Sequence, residues 1–220
     1  MAKKTTKGFT HESTYNESKE WYTPRYIFDA IGLEFDLDPA SPGKDIVPWI
    51  PAKKHLTIFD DGLSSTWSGI PFVNPPYGID TPKWMRKLRL HGQGMALVFS
   101  RTDTTWFHDY IPLADAVLFI KGRVQFVPAR AAEAYTKELY KPKSGCGAGS
   151  MLVAYGETCM RALIESELGW VFYPADVTDW PCPSSKHTET FRTESGFAGG
   201  SRRPHENLPR NAESGQGVLW

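Results

Sequence analysis

Short apolar runs of strand length recur through the middle of the chain, and they limit the fold more than any other feature. Residues 70–73, 95–99, 116–120 and 151–155 are apolar and too short for ordinary helices, the pattern of strands buried on both faces. Further strands are expected at 33–37, 56–59, 123–127 and 170–173. Helical segments lie between them. Pro24 is placed to open one through Ile27, Phe28, Ala30 and Ile31 with Gly32 as its stop, and others are expected over 81–90, 104–110 and 158–168. This alternation predicts an α/β fold, a mixed and mostly parallel sheet with helices on both faces.

A length of 220 residues suits one such domain rather than two. We place it over 16–180, between a polar arm at 1–15 and a tail at 181–220 rich in Ser, Gly, Arg, Glu and Pro, a composition expected to be disordered. No stretch approaches the ~20 apolar residues of a membrane span, and the first residues lack the apolar core of a signal peptide, so the expected setting is the cytoplasm. Cys146, Cys159 and Cys182 are odd in number and form no Cys-x-x-Cys pair, so neither a disulfide framework nor a metal site is expected. A formal net charge of zero argues against gripping nucleic acid by bulk electrostatics and leaves only local basic surfaces. One such segment holds Lys121, Arg123, Arg130, Lys137, Lys141 and Lys143 against only Glu133 and Glu138, which taken alone is more often a solvated face.

The sharpest chemical signal is Asn74-Pro75-Pro76-Tyr77 at the end of the 70–73 strand. By average residue usage it arises by chance in a chain this long on the order of once in a thousand. An Asn-Pro turn closing a strand is the plain reading. The chemical reading starts from an exocyclic amine on an aromatic ring, whose lone pair is delocalised and poorly nucleophilic. The Asn74 side-chain oxygen and the Pro75 main-chain carbonyl can each accept one amine hydrogen, which favours a pyramidal nitrogen aimed at a sulfonium methyl. Two prolines fix φ and leave no N–H to compete. Tyr77 supplies a flat face on which a base turned out of a duplex can stack.

Acidic residues mark two other strand ends. Asp38, with Pro39, follows the 33–37 strand, where a carboxylate can meet a cofactor's ammonium, and Asp60 and Asp61 follow the 56–59 strand, where one can accept from a ribose or adenine. Acidic residues at such places are equally common turn formers. Arg101 and Asp103, just beyond the 95–99 strand, face the same edge or else form a local helix cap and ion pair.

Several of these segments stand in one order: Trp21-Tyr22-Thr23-Pro24, Asp36 to Ser41, Asp61-Gly62-Leu63, Trp67, Asn74 to Gly78, Arg101 to Thr104 with Trp106-Phe107-His108, and Gly122-Arg123. Together they resemble the small phage and prophage DNA adenine-N6 methyltransferases of the Dam-like family, from Trp21 to Tyr155. The resemblance implies a Rossmann-like methyltransferase fold, S-adenosylmethionine as methyl donor and double-stranded DNA as substrate. Position by position, it implies that Asn74, Pro75, Pro76 and Tyr77 form the catalytic loop. It also implies that Trp21, Tyr22, Thr23 and Pro24 lead into the cofactor pocket, with Asp38 and Pro39 under the methionine moiety. A Gly-x-Gly cofactor loop is absent, and Asp38-Pro39-Ala40-Ser41 stands in its place.

Two other readings stand beside this one: a methyltransferase acting on a protein glutamine or an RNA base amine, and a catalytically inert DNA-binding relative. The segment 128–149 is too long for a simple hairpin turn. It carries Arg130, Lys137, Lys141, Lys143, Tyr135 and Tyr140, and we expect it to reach over DNA and help set sequence preference.

Overall fold

The structure, a computed structural model, describes residues 20–142 and 145–173. The expected arm at 1–15, the tail at 181–220 and Lys143 lie outside the described residues. The chain opens with β1 (Trp21–Tyr22), α1 (Arg25–Ile31), β2 (Phe35–Asp38), β3 (Ala52–His55) and β4 (Phe72–Val73). It continues through α2 (Thr81–His91), β5 (Gly94–Phe99), α3 (Thr105–Tyr110), β6 (Ala116–Ile120) and β7 (Val127–Pro128). The remaining elements are α4 (Ala132–Thr136), β8 (Ser150–Tyr155), α5 (Glu157–Glu165) and β9 (Gly169–Phe172). Pro24 stands at the N-cap of α1, and Gly32 closes that helix at φ 67°, donating its N–H to the Phe28 carbonyl.

Five strands form the main sheet in the order β4-β5-β8-β6-β9. A parallel bridge between Leu37 and Pro71 joins it to the parallel pair β2-β3. The sheet is mixed, as expected, but not mostly parallel by neighbour: within the five strands only β4-β5 pair in parallel, and β5-β8, β6-β8 and β6-β9 are antiparallel. The cause is the insertion of β8 between β5 and β6. Those two strands point the same way as β2, β3 and β4 but never touch, so their common direction is invisible in the ladder.

Alternation along the central strands divides the core into two layers. Phe72, Met95, Leu97, Leu118, Leu152 and Ala154 pack on one face with α1 and α5, through Ile27, Phe28, Ile31, Cys159 and Leu163. Val73, Ala96, Val98, Val117, Met151 and Val153 pack on the other with α2, through Trp84, Met85 and Leu88. Helices on both faces thus follow from continuously apolar strands, since each fully buried aliphatic side chain gains ~1.5–3 kcal/mol only if both faces are covered.

Two expected strands are displaced. The strand expected at 56–59 falls instead at Ala52–His55, because Phe35 pairs with Ala52 and Asp38 with His55, and 57–61 turns away at the edge. Of the strand expected at 123–127, only Val127 enters a ladder, as β7, which pairs antiparallel with β1. Residues 123–126 meet a backbone partner at Cys146, whose N–H reaches the Val124 carbonyl at 2.9 Å.

The tightest joint lies beside β4. Gly94 has φ 123°, and a Cβ there would stand 2.7 Å from the Pro71 carbonyl oxygen, the same oxygen that accepts the Met95 N–H at 2.9 Å. Gly94→Ala should therefore destabilise the domain by about 2–4 kcal/mol, combining left-handed strain with overpacking. Denaturant unfolding will show this as a lower midpoint at unchanged slope, and a midpoint within error of wild type would refute it.

Candidate active site at the carboxyl edge of the sheet

The chain leaves β2 and β4 in opposite directions. The connection after β2 packs Val47, Trp49 and Ile50 on the α1 face, whereas α2, after β4, packs on the other. Diverging connections between adjacent parallel strands open a crevice beyond their carboxyl ends, the usual ligand position in such sheets. Asp38 ends β2 and Asn74 follows β4, so the two sharpest sequence candidates flank this point. Arg101 follows β5 on the same edge.

Asn74 is held at both ends of its amide. Its Nδ2 donates to the main-chain carbonyl of Trp21 at 3.0 Å, and its Oδ1 accepts from the Tyr77 hydroxyl at 3.0 Å. The same hydroxyl lies 3.3 Å from the Leu97 carbonyl. Burial pushes the Tyr77 hydroxyl far above its ordinary range, so it remains a proton donor. The Tyr77 ring stacks on Phe99 at 4.1 Å between centroids and 16° between planes, with Phe126 edge-on at 6.1 Å. The expected open stacking platform is thus half covered: Phe99 occupies one face of Tyr77. The loop is pinned to α2 by Thr81, whose Oγ1 accepts from the Gly78 N–H at 3.1 Å and donates to the Pro76 carbonyl at 3.4 Å.

Asp38 is only 4% exposed. Its Oδ1 accepts the Ala40 N–H at 3.2 Å, shaping the turn that replaces a glycine loop. His55 Nε2 lies 3.2 Å from the Ala52 carbonyl, which can only accept. In the neutral ring Nδ1 is therefore unprotonated, 2.8 Å from the Ser41 hydroxyl, whose one proton is contested by this nitrogen and the Asp38 carboxylate. His55 Nδ1 also lies 3.7 Å from Asp38 Oδ2. Burial raises the Asp38 carboxyl to about 7 and lowers the imidazole, so this contact is not a full ion pair at neutral pH.

The Asp60 and Asp61 carboxylates are used locally. Asp60 Oδ2 accepts from the N–H and the hydroxyl of Thr57, each at 2.8 Å, and Asp61 Oδ1 accepts from the Leu63 N–H at 3.1 Å. The Thr57 bonds hold Asp60 below the usual carboxylate range, and the Ser64 side chain, with the Leu63 N–H second, does the same for Asp61. The turn still belongs to the site, because Gly62 lies directly against Pro39: a Cβ there would fall 1.8 Å from the Pro39 carbonyl oxygen. Lys87 on α2 fastens it from behind, donating to the carbonyls of Gly62 at 3.0 Å, Leu63 at 2.8 Å and Ser65, with its ammonium 4.8 Å over the Trp67 ring. Trp67 adds an indole N–H to the Gly62 carbonyl at 2.8 Å.

Trp21, Tyr22, Thr23 and Pro24 have separate places. Trp21 supplies the carbonyl to Asn74, Tyr22 is buried with its hydroxyl on Glu20 at 2.8 Å, and Pro24 caps α1. Thr23 is fully buried, and its hydroxyl has no hydrogen-bond partner among the described residues, an orphan donor that suits a ligand. Arg101 and Asp103 are exposed. In the 128–149 segment the structure corrects one expectation. Tyr135 packs edge-on against Trp49 at 4.9 Å and accepts the Arg25 N–H at 2.9 Å, so it belongs to the scaffold rather than to a nucleic-acid surface. Lys137 pairs with Glu133, and Arg130 and Lys141 are exposed. His55, Phe99, Phe126 and Lys87 were not singled out from sequence, and Ser41 only as the last residue of the Asp38-Pro39-Ala40-Ser41 segment. They lie in or beside predicted strands and helices, and nothing in their local pattern distinguishes them from ordinary core or surface positions.

Comparison with curated proteins gives no match, nor does comparison with solved structures. The family model described as DNA N-6-adenine-methyltransferase (Dam) matches residues 11–157. That stretch holds β1 through β8, the Asn74 to Tyr77 loop and the Asp38 turn, and spans well over half of the 220 residues. The chain belongs to the DNA N-6-adenine-methyltransferase (Dam) family.

Proposed function

We propose that this chain methylates the N6 amine of an adenine turned out of duplex DNA, with S-adenosylmethionine as donor, on a Rossmann-like methyltransferase scaffold. The observation that carries this reading is the placement of Asn74-Pro75-Pro76-Tyr77 at the carboxyl end of β4, beside the crevice between β2 and β4. Bound there, S-adenosylmethionine supplies an electrophilic methyl group. Asn74 Oδ1 and the Pro75 carbonyl accept the two amine hydrogens and orient the nitrogen lone pair. A base within a duplex cannot present that amine, so it must leave the stack at a cost of a few kcal/mol, and contact with the Tyr77 ring would offset part of it.

The residues at the crevice suit the donor. Thr23 offers a buried, unpartnered hydroxyl, and Asp38 offers a buried carboxyl whose ionised form a cation beside it would favour. Pro39, with the Asp60 and Asp61 turn locked against it, would form the floor for the remainder of the cofactor. Family membership favours adenine in DNA over a glutamine or an RNA base. The Asn74 amide, held at both ends with acceptor capacity to spare on Oδ1, favours an active enzyme over an inert relative. Arg101, Arg130, Lys137 and Lys141 stand as phosphate contacts in this reading, and Asp103 as a neighbour of the flipped base. The 128–149 segment is tethered near the site because β7 pairs with β1, whose Trp21 carbonyl holds Asn74.

Asn74→Ala should lower methyl transfer to duplex DNA by roughly 10²–10³-fold, the scale of losing an oriented hydrogen-bonding group at a reacting centre. S-adenosylmethionine affinity should stay within about twofold. Near-normal turnover would remove Asn74 from the chemistry.

A second expectation concerns pH. The free Asp38 carboxyl titrates near 7, well above its unfolded value, and an ammonium beside it lowers that value. Donor binding should therefore release up to one proton between roughly pH 5 and 7, and affinity should rise with pH across that window and level off above it. Calorimetry in two buffers of different ionisation enthalpy will read the proton directly. Asp38→Asn should abolish the release, and an unchanged release in that variant would take Asp38 out of the donor site. The same group affects stability with the opposite trend. Because its folded value is raised, its contribution is full below about pH 4 and is lost as pH rises through 7.

A further inference from the structure

A side-chain amide has two unlike ends of nearly the same shape, and the torsion that exchanges them is soft. If Asn74 turned over, an NH2 group would face the target amine, donor against donor, and the acceptor would be lost. We infer that the Tyr77 hydroxyl and the Trp21 main-chain carbonyl are positioning groups that break this symmetry and lock the Asn74 acceptor toward the substrate. The inference rests on reading Asn74 as the acceptor for the target amine.

The assignment follows from what each partner can do. The Trp21 carbonyl only accepts, so the amide atom 3.0 Å from it is Nδ2. Oδ1 is then the atom 3.0 Å from the Tyr77 hydroxyl, which serves as a donor. One lone pair of Oδ1 takes that proton, and the other remains for an amine hydrogen. Both partners are themselves held. Trp21 lies in β1, whose register against β7 pairs Trp21 with Pro128 and Tyr22 with Val127, extended by the Ala129 N–H on the Glu20 carbonyl at 3.1 Å. Tyr77 cannot swing freely, because its ring is stacked on Phe99 and edged by Phe126. The Leu97 carbonyl at 3.3 Å is an alternative acceptor for the same hydroxyl proton, so Oδ1 can be relieved of it without stranding a buried donor. Trp21 thus acts on the catalytic side chain through its backbone, and the hydroxyl of Tyr77 has a role separate from its ring.

The test is a coupling measurement. Tyr77→Phe keeps the ring and its stacking, and should lower kcat about tenfold to a hundredfold, the scale of a mispositioned reacting group. KM for DNA, donor affinity and the thermal midpoint should change little. Asn74→Asp has two equivalent oxygens, so it has no wrong orientation to prevent, although it exchanges the bond to the Trp21 carbonyl for a repulsion and starts from a lower rate. In that background the same Tyr77→Phe change should cost less than about threefold, a non-additivity that a purely structural tyrosine would not show. Side-chain amide NMR of the unliganded protein gives a readout independent of turnover: the Asn74 NH2 protons should be protected from exchange in wild type and lose protection in Tyr77→Phe. Wild-type kcat in Tyr77→Phe, equal losses in both backgrounds, or unprotected Asn74 protons in wild type would each overturn the lock. A wild-type protein that methylates no adenine would instead remove the substrate reading, and the amide signals would still decide the lock.

Discussion

The carboxyl edge depends on β4, a strand two residues long set between Pro71 and Pro75. Pro71 has no N–H to donate, so the joint to β5 runs through its carbonyl to Met95, and glycine at position 94 lets the two backbones close to that distance. On the other side Leu37 stands opposite Pro71, which aligns the ends of β2 and β4. With so little ladder of its own, β4 takes its place from its neighbours and from Phe72 and Val73, one packed into each layer of the core. Asn74 inherits that placement.

From this joint outward, the site is built mostly by main-chain carbonyls that receive side-chain donors. The Trp21 carbonyl orients Asn74, the Ala52 carbonyl fixes the protonated nitrogen of His55, and the Gly62 and Leu63 carbonyls anchor Lys87. A carbonyl can only accept, so each contact determines which end of its partner faces it, and that is how a surface of loops acquires chemical direction. Burial does the complementary work at Asp38. Removing the carboxyl from water raises it to about 7, which leaves it poised to respond to a cation, whereas the exposed Asp60 and Asp61 are held low by turn hydrogen bonds.

The elements that read most clearly from sequence were those whose information is local. The apolar run at 95–99 became β5, the Pro24 to Gly32 bracket became α1, and the run at 151–155 lies within β8. Where pairing with a distant segment decides the outcome, local pattern misled. Residues 123–126 alternate in burial like a strand, yet only Val127 beyond them finds a ladder, because its partner is Tyr22, far back in the chain. Likewise β3 lies at Ala52–His55 because Phe35 selects Ala52, although the 56–59 stretch is the more apolar. The aromatic Tyr135 was an attractive nucleic-acid contact in a basic segment until Trp49 and the Arg25 N–H claimed it.

By itself the sequence determined the layered α/β class, the Asn74-Pro75-Pro76-Tyr77 segment at a strand end and the family to which the chain belongs. Those follow from periodicity, from proline and glycine stereochemistry, and from motifs that need no knowledge of distant neighbours. Tertiary structure alone decided that β8 separates β5 from β6, that Phe99 backs Tyr77, and that the Asn74 amide is held across 53 residues by the Trp21 carbonyl. The physical reason is that hydrogen-bond direction and ring stacking are properties of pairs. A residue's type states which bonds it can make, and only the folded chain states which atoms stand within about 3 Å to make them.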